Sequence, residues 1–264
     1  MSYIGQRAPT GPFGFTANGT FQQYPQTTTL YGGTATDSSI NTILGTRWEL
    51  EDGRETVLVL AGATNLAVGK LMQDAALIAD HQDLTVVSFT AYNTTSGTPA
   101  NVVVTLGGAA VTANEYQLGY AVVVDGTGAG QTLQIQSHLA QATTTGNVQI
   151  NLADAPNTAL DTTSKVSLVF QPGNGVVVHP ASASTNSPRG VTMYPVTATN
   201  YAYLLSKGAV SCLSDSGSAA NGLAISPSTG TAGAITVFST STEIVGRSIY
   251  TTVSAKYYPV VIDL

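Results

Sequence analysis

Residues 47–73 read RWELEDGRETVLVLAGATNLAVGKLMQ, and they decide the fold class. RWELE and RETVLVLA flank Asp52-Gly53, a two-residue hairpin signal between strand-forming runs. In RETVLVLA, Thr56, Leu58 and Leu60 alternate with Val57 and Val59, so both faces of this strand can be covered. LAVGKLMQ follows, with Gly69 as a turn or bulge. The stretch is also unusual in charge. Only 9% of the 264 residues are charged, yet Arg47, Glu49, Glu51, Asp52, Arg54 and Glu55 fall within nine positions.

Outward from this hairpin the same texture continues. QDAALIADHQ reads as a short helical turn or another strand. LTVVSFTAY, ANVVVTLGG, QLGYAVVVD, QTLQIQSH, NVQINL and KVSLVF read as strands. Beyond the loop GNGVVVHPASASTNSPRG come GVTMYPVTA, NYAYLLS, GAVSCL, GLAIS, GAITVFS, SIYTTVSA and YYPVVIDL. Threonine alone outnumbers all charged residues, and helix formers such as Lys, Glu and Arg are scarce. The expectation is an all-β protein with a sandwich or barrel-like body, since βαβ units would need helical patterns between the strands. A boundary near 171–190 divides it into a first β domain, 43–172, and a second β-rich region, 173–264. The alternative is that strands of the two halves interleave.

Residues 1–42 form an N-terminal arm with two charges, Arg7 and Asp37, and no sustained period. Its aromatics are Tyr3, Phe13, Phe15, Phe21, Tyr24 and Tyr31. Such a composition cannot bury enough surface to order itself, so these residues are candidate anchors on a neighbouring subunit. Folding back on its own domain is the alternative.

The net charge of −6 and the lack of a Lys/Arg cluster argue against nucleic acid. There is no apolar run of membrane-spanning length and no basic amphipathic face. MSYIGQRAPTGPF lacks a signal-peptide pattern, so synthesis in a cytoplasm is expected, and Asn18 and Asn93 are chance glycosylation matches. Cys212 is the only cysteine and reads as a buried thiol.

No chemistry-bearing motif emerges. GTGAG at 126–130 has its third glycine one residue too early for a dinucleotide loop, and the alternating QTLQIQSH after it makes it a hairpin turn. His81, His138 and His179 lack zinc spacing, although Asp80 and Asp83 flank His81 closely. Calcium-loop and serine-hydrolase patterns are missing too. No catalytic, cofactor or metal residues are expected. In the charged hairpin, Arg54 could pair with Glu49 or Glu51, or with a carboxylate of another subunit. Arg47 and Arg54 are therefore candidate contact residues.

The segment LGTRWELEDGRETVLVLAGATNLAVGKLMQ resembles virion structural proteins of tailed bacteriophages, most of all their capsid decoration, or cement, proteins. The positions that carry the likeness are Asp52, Gly53 and Arg54, then Gly62, Leu66, Gly69 and Leu71. ANEYQLGYAVVVDGTGAGQTLQIQSH extends it more loosely. The resemblance implies a homotrimer on the capsid surface of the virion, bound to the major capsid protein and clamping adjacent capsomers. A rival reading is a tail-fibre or tail-tip protein binding carbohydrate through Tyr201, Tyr203, Tyr257 or Tyr258. A β-rich polysaccharide hydrolase, using carboxylates such as Glu115 or Asp154, is the third.

Overall fold

The structure, a computed structural model, describes residues 44–50, 52–93, 95–215, 220–239, 243–251 and 255–264. The expected arm, with Tyr3, Phe13, Phe15, Phe21, Tyr24 and Tyr31, lies outside them. The described chain is all-β, with one 3-10 turn at Ala79–His81. It begins with β1 (Arg47–Glu49), β2 (Glu55–Leu60) and β3 (Leu71–Gln73). Next come β4 (Leu84–Thr90), β5 (Asn101–Thr105), β6 (Tyr120–Asp125), β7 (Thr132–His138), β8 (Asn147–Leu152) and β9 (Lys165–Val169). It ends with β10 (Val177–Val178), β11 (Pro188–Thr192), β12 (Tyr201–Ser214), β13 (Ala224–Pro227), β14 (Ile235–Val237), β15 (Gly246–Ser248) and β16 (Lys256–Asp263).

These strands form two compact units. Residues 76–171 make one, and the described residues up to Ala75 join Pro172–Leu264 in the other. The expected first domain, 43–172, therefore breaks near residue 75. The reason is strand pairing: β2 runs antiparallel to the first half of β12, from Tyr201↔Leu60 to Lys207↔Glu55, while β3 pairs with β10 and β11. The chain's first strands thus complete a sheet whose other strands come more than 100 residues later.

Residues 76–171 close a six-stranded antiparallel barrel in the order β4-β5-β8-β7-β6-β9. Alternation places Leu84 and Val86, Val102 and Val104, Ala121 and Val123, Val148 and Ile150, and Val166 and Leu168 in its interior. Each such aliphatic side chain larger than alanine contributes about 1.5–3 kcal/mol on full burial. β7 breaks the pattern. Leu133 and Ile135 point inward, then a register shift between Ile135 and Ser137 turns His138 inward as well. The 126–130 turn joins β6 to β7 as expected. Its Thr127 hydroxyl donates to Asp161 Oδ2 at 2.7 Å, and the Ser164 hydroxyl donates to the Thr127 carbonyl at 2.6 Å.

In the other unit, the expected strands NYAYLLS and GAVSCL fuse into the 14-residue β12. Its first half lies between β2 and β11; its second half pairs with β16 along eight residues. β12, β14, β13, β15 and β16 close a ring around Cys212, Ile225, Ile235, Val260 and Ile262. A second apolar cluster holds Val57, Val59, Met72 and Leu204, and a third holds Trp48, Leu58 and Tyr203. Of the expected strand SIYTTVSA, only Ser248 is in β15 among its described residues.

Candidate binding cleft

The described residues of the charged hairpin make the following contacts within the chain. β1 and β2 pair with Arg47↔Val57 and Glu49↔Glu55 in register. Gly53, at φ +81°, donates its N–H to Leu50 O, and Leu50 donates to Arg54 O. Glu49 and Glu55 thus face each other, an arrangement that needs cations. Glu55 has them, with Lys207 Nζ at 3.2 Å and Arg47 Nη1 at 3.9 Å. Arg47 also donates to the carbonyl of Leu264 at 2.8 Å. The Arg54 Nε lies 2.7 Å from Asp52 Oδ2, because the turn presents that carboxylate two residues away.

Beyond this pair, the Arg54 side chain forms part of a cleft of about 460 Å³. Val68, Gly69, Met193, Ser211 and Tyr257 are other parts of its lining. Two glycines shape it. Gly69, at φ +68°, has no side chain, and the Tyr257 ring lies where a Cβ would stand, with Cε1 2.7 Å from that point. Gly208, at φ +108°, likewise admits the Arg54 stem, with Cγ 2.6 Å from its would-be Cβ. A long side chain can lie directly on the main chain only where the Cβ is missing, and both backbone conformations favour glycine. The Gly69 N–H donates to Thr192 O and its carbonyl accepts from Leu213 N–H, each at 2.8 Å, so the cleft floor is fixed to β11 and β12.

The cleft opens beside the outward face of β12 and β16. Register places Ala209 opposite Val261, Ser211 opposite Pro259 and Leu213 opposite Tyr257 on that face. Tyr257 is 51% exposed and Val261 39%. Of the proposed aromatic platforms, Tyr203 is buried and its N–H takes the Tyr194 hydroxyl as acceptor, so it cannot stack on a ligand. Tyr201 is half-buried, and Tyr258 stacks with Tyr250 at 6.4 Å between ring centroids.

The structure brings together two histidines that sequence distance separates. Inside the barrel unit, Tyr116 donates its hydroxyl to His81 Nδ1 at 2.7 Å, and the Tyr116 N–H donates to His138 Nε2 at 3.0 Å. His81 Nε2 then donates to Ala109 O at 3.1 Å, and His138 Nδ1 to Leu139 O at 3.1 Å. Both ring nitrogens of each histidine are thus used, and the N–H donated to His138 Nε2 makes that imidazole neutral. Burial, foremost, holds His138 below the ordinary histidine value. Burial also raises the Tyr116 phenol well above its usual range. The cluster is closed and satisfied, so it acts as a polar core rather than a ligand site. No signal in the sequence marks it, because His81, Tyr116 and His138 are far apart in the chain and share no ligand spacing.

In the other unit, the Ser184 hydroxyl lies 2.8 Å from His179 Nε2 and 2.8 Å from Glu243 Oε1. His179 Nδ1 is held by Pro180 O at 2.9 Å. A nucleophilic serine needs its acid behind the imidazole. Here the carboxylate faces the hydroxyl itself, opposing negative charge on that oxygen, so the geometry ties loops together instead. Glu115 is engaged by Thr112, accepting from its N–H at 2.8 Å and from its hydroxyl at 3.1 Å. Among the described residues no group of three or more His, Cys, Asp or Glu side chains could hold a metal ion. No described helix is long and apolar enough to cross a membrane. No protein-family model, curated protein or solved structure matches this chain.

Proposed function

We propose that the chain is a virion structural protein of the capsid decoration type, working by attachment and not by catalysis. Its partners are the major capsid protein and, as a homotrimer, other copies of itself. The sequence resemblance supplies the class, and the outward β12–β16 face with its adjoining cleft is the observation that carries the reading. Ala209, Ser211, Pro259, Val261 and Tyr257 give that face exposed, uncharged contact area. Tyr257, Met193 and Arg54 beside them are of the residue types enriched where proteins meet. A protein that binds the assembled shell and not its free subunits shifts the equilibrium toward the shell.

The test is co-sedimentation of the purified chain with assembled capsids of the encoding phage and, separately, with unassembled capsid subunits. Retention on the assembled particle, lost when Val261→Asp places a charge on the face, is the expected result. Equal retention of Val261→Asp, or no retention of the parent, removes the reading. One observation favours a second reading as a carbohydrate-binding module: the exposed Tyr257 ring beside Arg54 could stack on a sugar. Binding on a glycan array that Tyr257→Ala abolishes would favour it.

A further inference from the structure

The cleft holds an open strand edge. We propose that an extended segment of a partner polypeptide adds to β12 at Ala209 and Ser211 and is recognised through its main chain. This specifies the kind of partner that the attachment reading requires, and it rests on that reading only for the use of this face.

The edge follows from the hydrogen-bond phase of β16. Asp263 donates its N–H to Val245 O at 3.1 Å, and Ile249 donates to Pro259 O at 3.4 Å. The alternate residues Pro259, Val261 and Asp263 therefore turn their main-chain groups toward β15 and away from β12. Tyr258, Val260 and Ile262 face β12 and bond to their register partners Cys212, Val210 and Gly208. Ala209, Ser211 and Leu213 present their N–H and C=O groups at the other edge of β12. Leu213 has its partner there, donating to Gly69 O at 2.8 Å. β2 covers that edge only as far as Lys207↔Glu55, and the chain leaves it at Arg54, whose stem lies on Gly208. Between Arg54 and Gly69, among the described residues, no hydrogen bond reaches the main-chain groups of Ala209 or Ser211, and both residues are exposed. The Ser211 carbonyl oxygen stands 3.3 Å from the point where a Gly69 Cβ would be, so the missing side chain keeps that acceptor open to the cleft.

Complementarity identifies the occupant. Two N–H donors and two C=O acceptors, repeated about 7 Å apart along one strand, are what one further antiparallel strand satisfies. An added residue opposite Val210 shares that residue's side of the sheet, and Val210 lines the cleft, so an aliphatic or aromatic side chain is matched there. Among the described lining residues only Arg54 is charged, and it is ion-paired with Asp52, which suits an uncharged segment. A second copy offering the same edge would bring its own Arg54 and Tyr257 against these walls. A segment that stands clear of its own domain avoids that clash.

The probe is the peptide most enriched when random heptapeptides are selected by display against the full chain, then synthesised with both ends capped. In the free chain, NMR should show amide exchange, corrected for intrinsic rates, about tenfold faster at Ala209 and Ser211 than at Val210 and Cys212, and the peptide should slow it about fivefold. N-methylation of the peptide at two alternate residues should weaken binding about tenfold, and methylation of the residue between them less than about threefold. Ser211→Pro removes an N–H that β16 does not use and should weaken binding about tenfold, while Ser211→Ala stays within about twofold. Native Trp48 fluorescence and an unreactive Cys212 thiol report an intact fold; if Ser211→Pro fails to fold, the N-methylation pattern decides. Slow exchange of both amides in the free chain, no enriched peptide, equal effects of N-methylation at every position, or full binding by a folded Ser211→Pro overturns the proposal. Self-association that protects both amides overturns it in favour of pairing between copies. Peptide binding with the alternating pattern but no retention on capsids supports the strand site and removes the virion class alone.

Discussion

Replacing Tyr116 by phenylalanine removes one oxygen from the interior of the barrel unit and little else. The Tyr116 ring is fully buried and stacks on Phe170 with 4.6 Å between centroids and 11° between planes, contacts that phenylalanine keeps. The backbone N–H still donates to His138. What disappears is the 2.7 Å bond to His81 Nδ1, which leaves a buried acceptor without its donor. The lost bond and the stranded acceptor together come to roughly 2 kcal/mol. That corresponds to about thirtyfold faster amide exchange through global opening of the barrel. It also equals roughly 8–16 °C in the melting temperature of a unit this size. Trp48, the only tryptophan, lies in the other unit and would not report the change. Hydrogen exchange read by mass spectrometry on peptides covering Leu118 and Ile135 is the right assay, since their amides bond across the strand ends near Tyr116. Exchange within twofold of the parent would refute the claim that the hydroxyl holds the core together.

The same core predicts a pH response. The lowered value of His138 means the folded barrel resists its protonation, so this contribution is present above about pH 6.5 and is lost as pH falls through the folded-state value. Barrel exchange rates, corrected for intrinsic pH effects, should rise on acidification; a flat profile from pH 7 to 4 would count against it. Asp74→Asn should cost the other unit about 2–4 kcal/mol, because Asp74 accepts from Arg189 Nε at 2.9 Å, from Arg189 Nη2 and from the Gly173 N–H. Urea titration followed by Trp48 fluorescence measures it. Gly69→Ala should cost about 1–2 kcal/mol for its left-handed backbone and displace the Tyr257 ring, visible as faster Tyr257 nitration. Burial pushes the Cys212 thiol up to about 12, so a disulfide reagent at pH 8 should label it only after denaturation.

Much of the local structure was legible because it depends on neighbours in the chain. The β-branched runs form strands, Gly53 and the glycines of 126–130 form turns, and Cys212 is buried within an apolar strand. The candidate site was legible only in fragments. Arg54 stood out by its charge and Tyr257 as an aromatic, but their meeting around one cleft depends on Gly69 and Gly208 lying where the two side chains cross the main chain. Glycine spacing carries no record of which distant side chain will cover it.

What the sequence by itself determined is the all-β class, the positions of most turns and which residues in each strand seek an interior. Those follow from period-two alternation and turn chemistry, which act over a few residues. The tertiary structure alone decided which interior each strand joins. β2 and β12 are paired across about 145 residues, and nothing in either strand names the other. The inward turn of His138 is the sharpest case. Alternation would place it outside after Leu133 and Ile135, and only the register shift in the β7–β8 pairing brings it to the Tyr116 N–H.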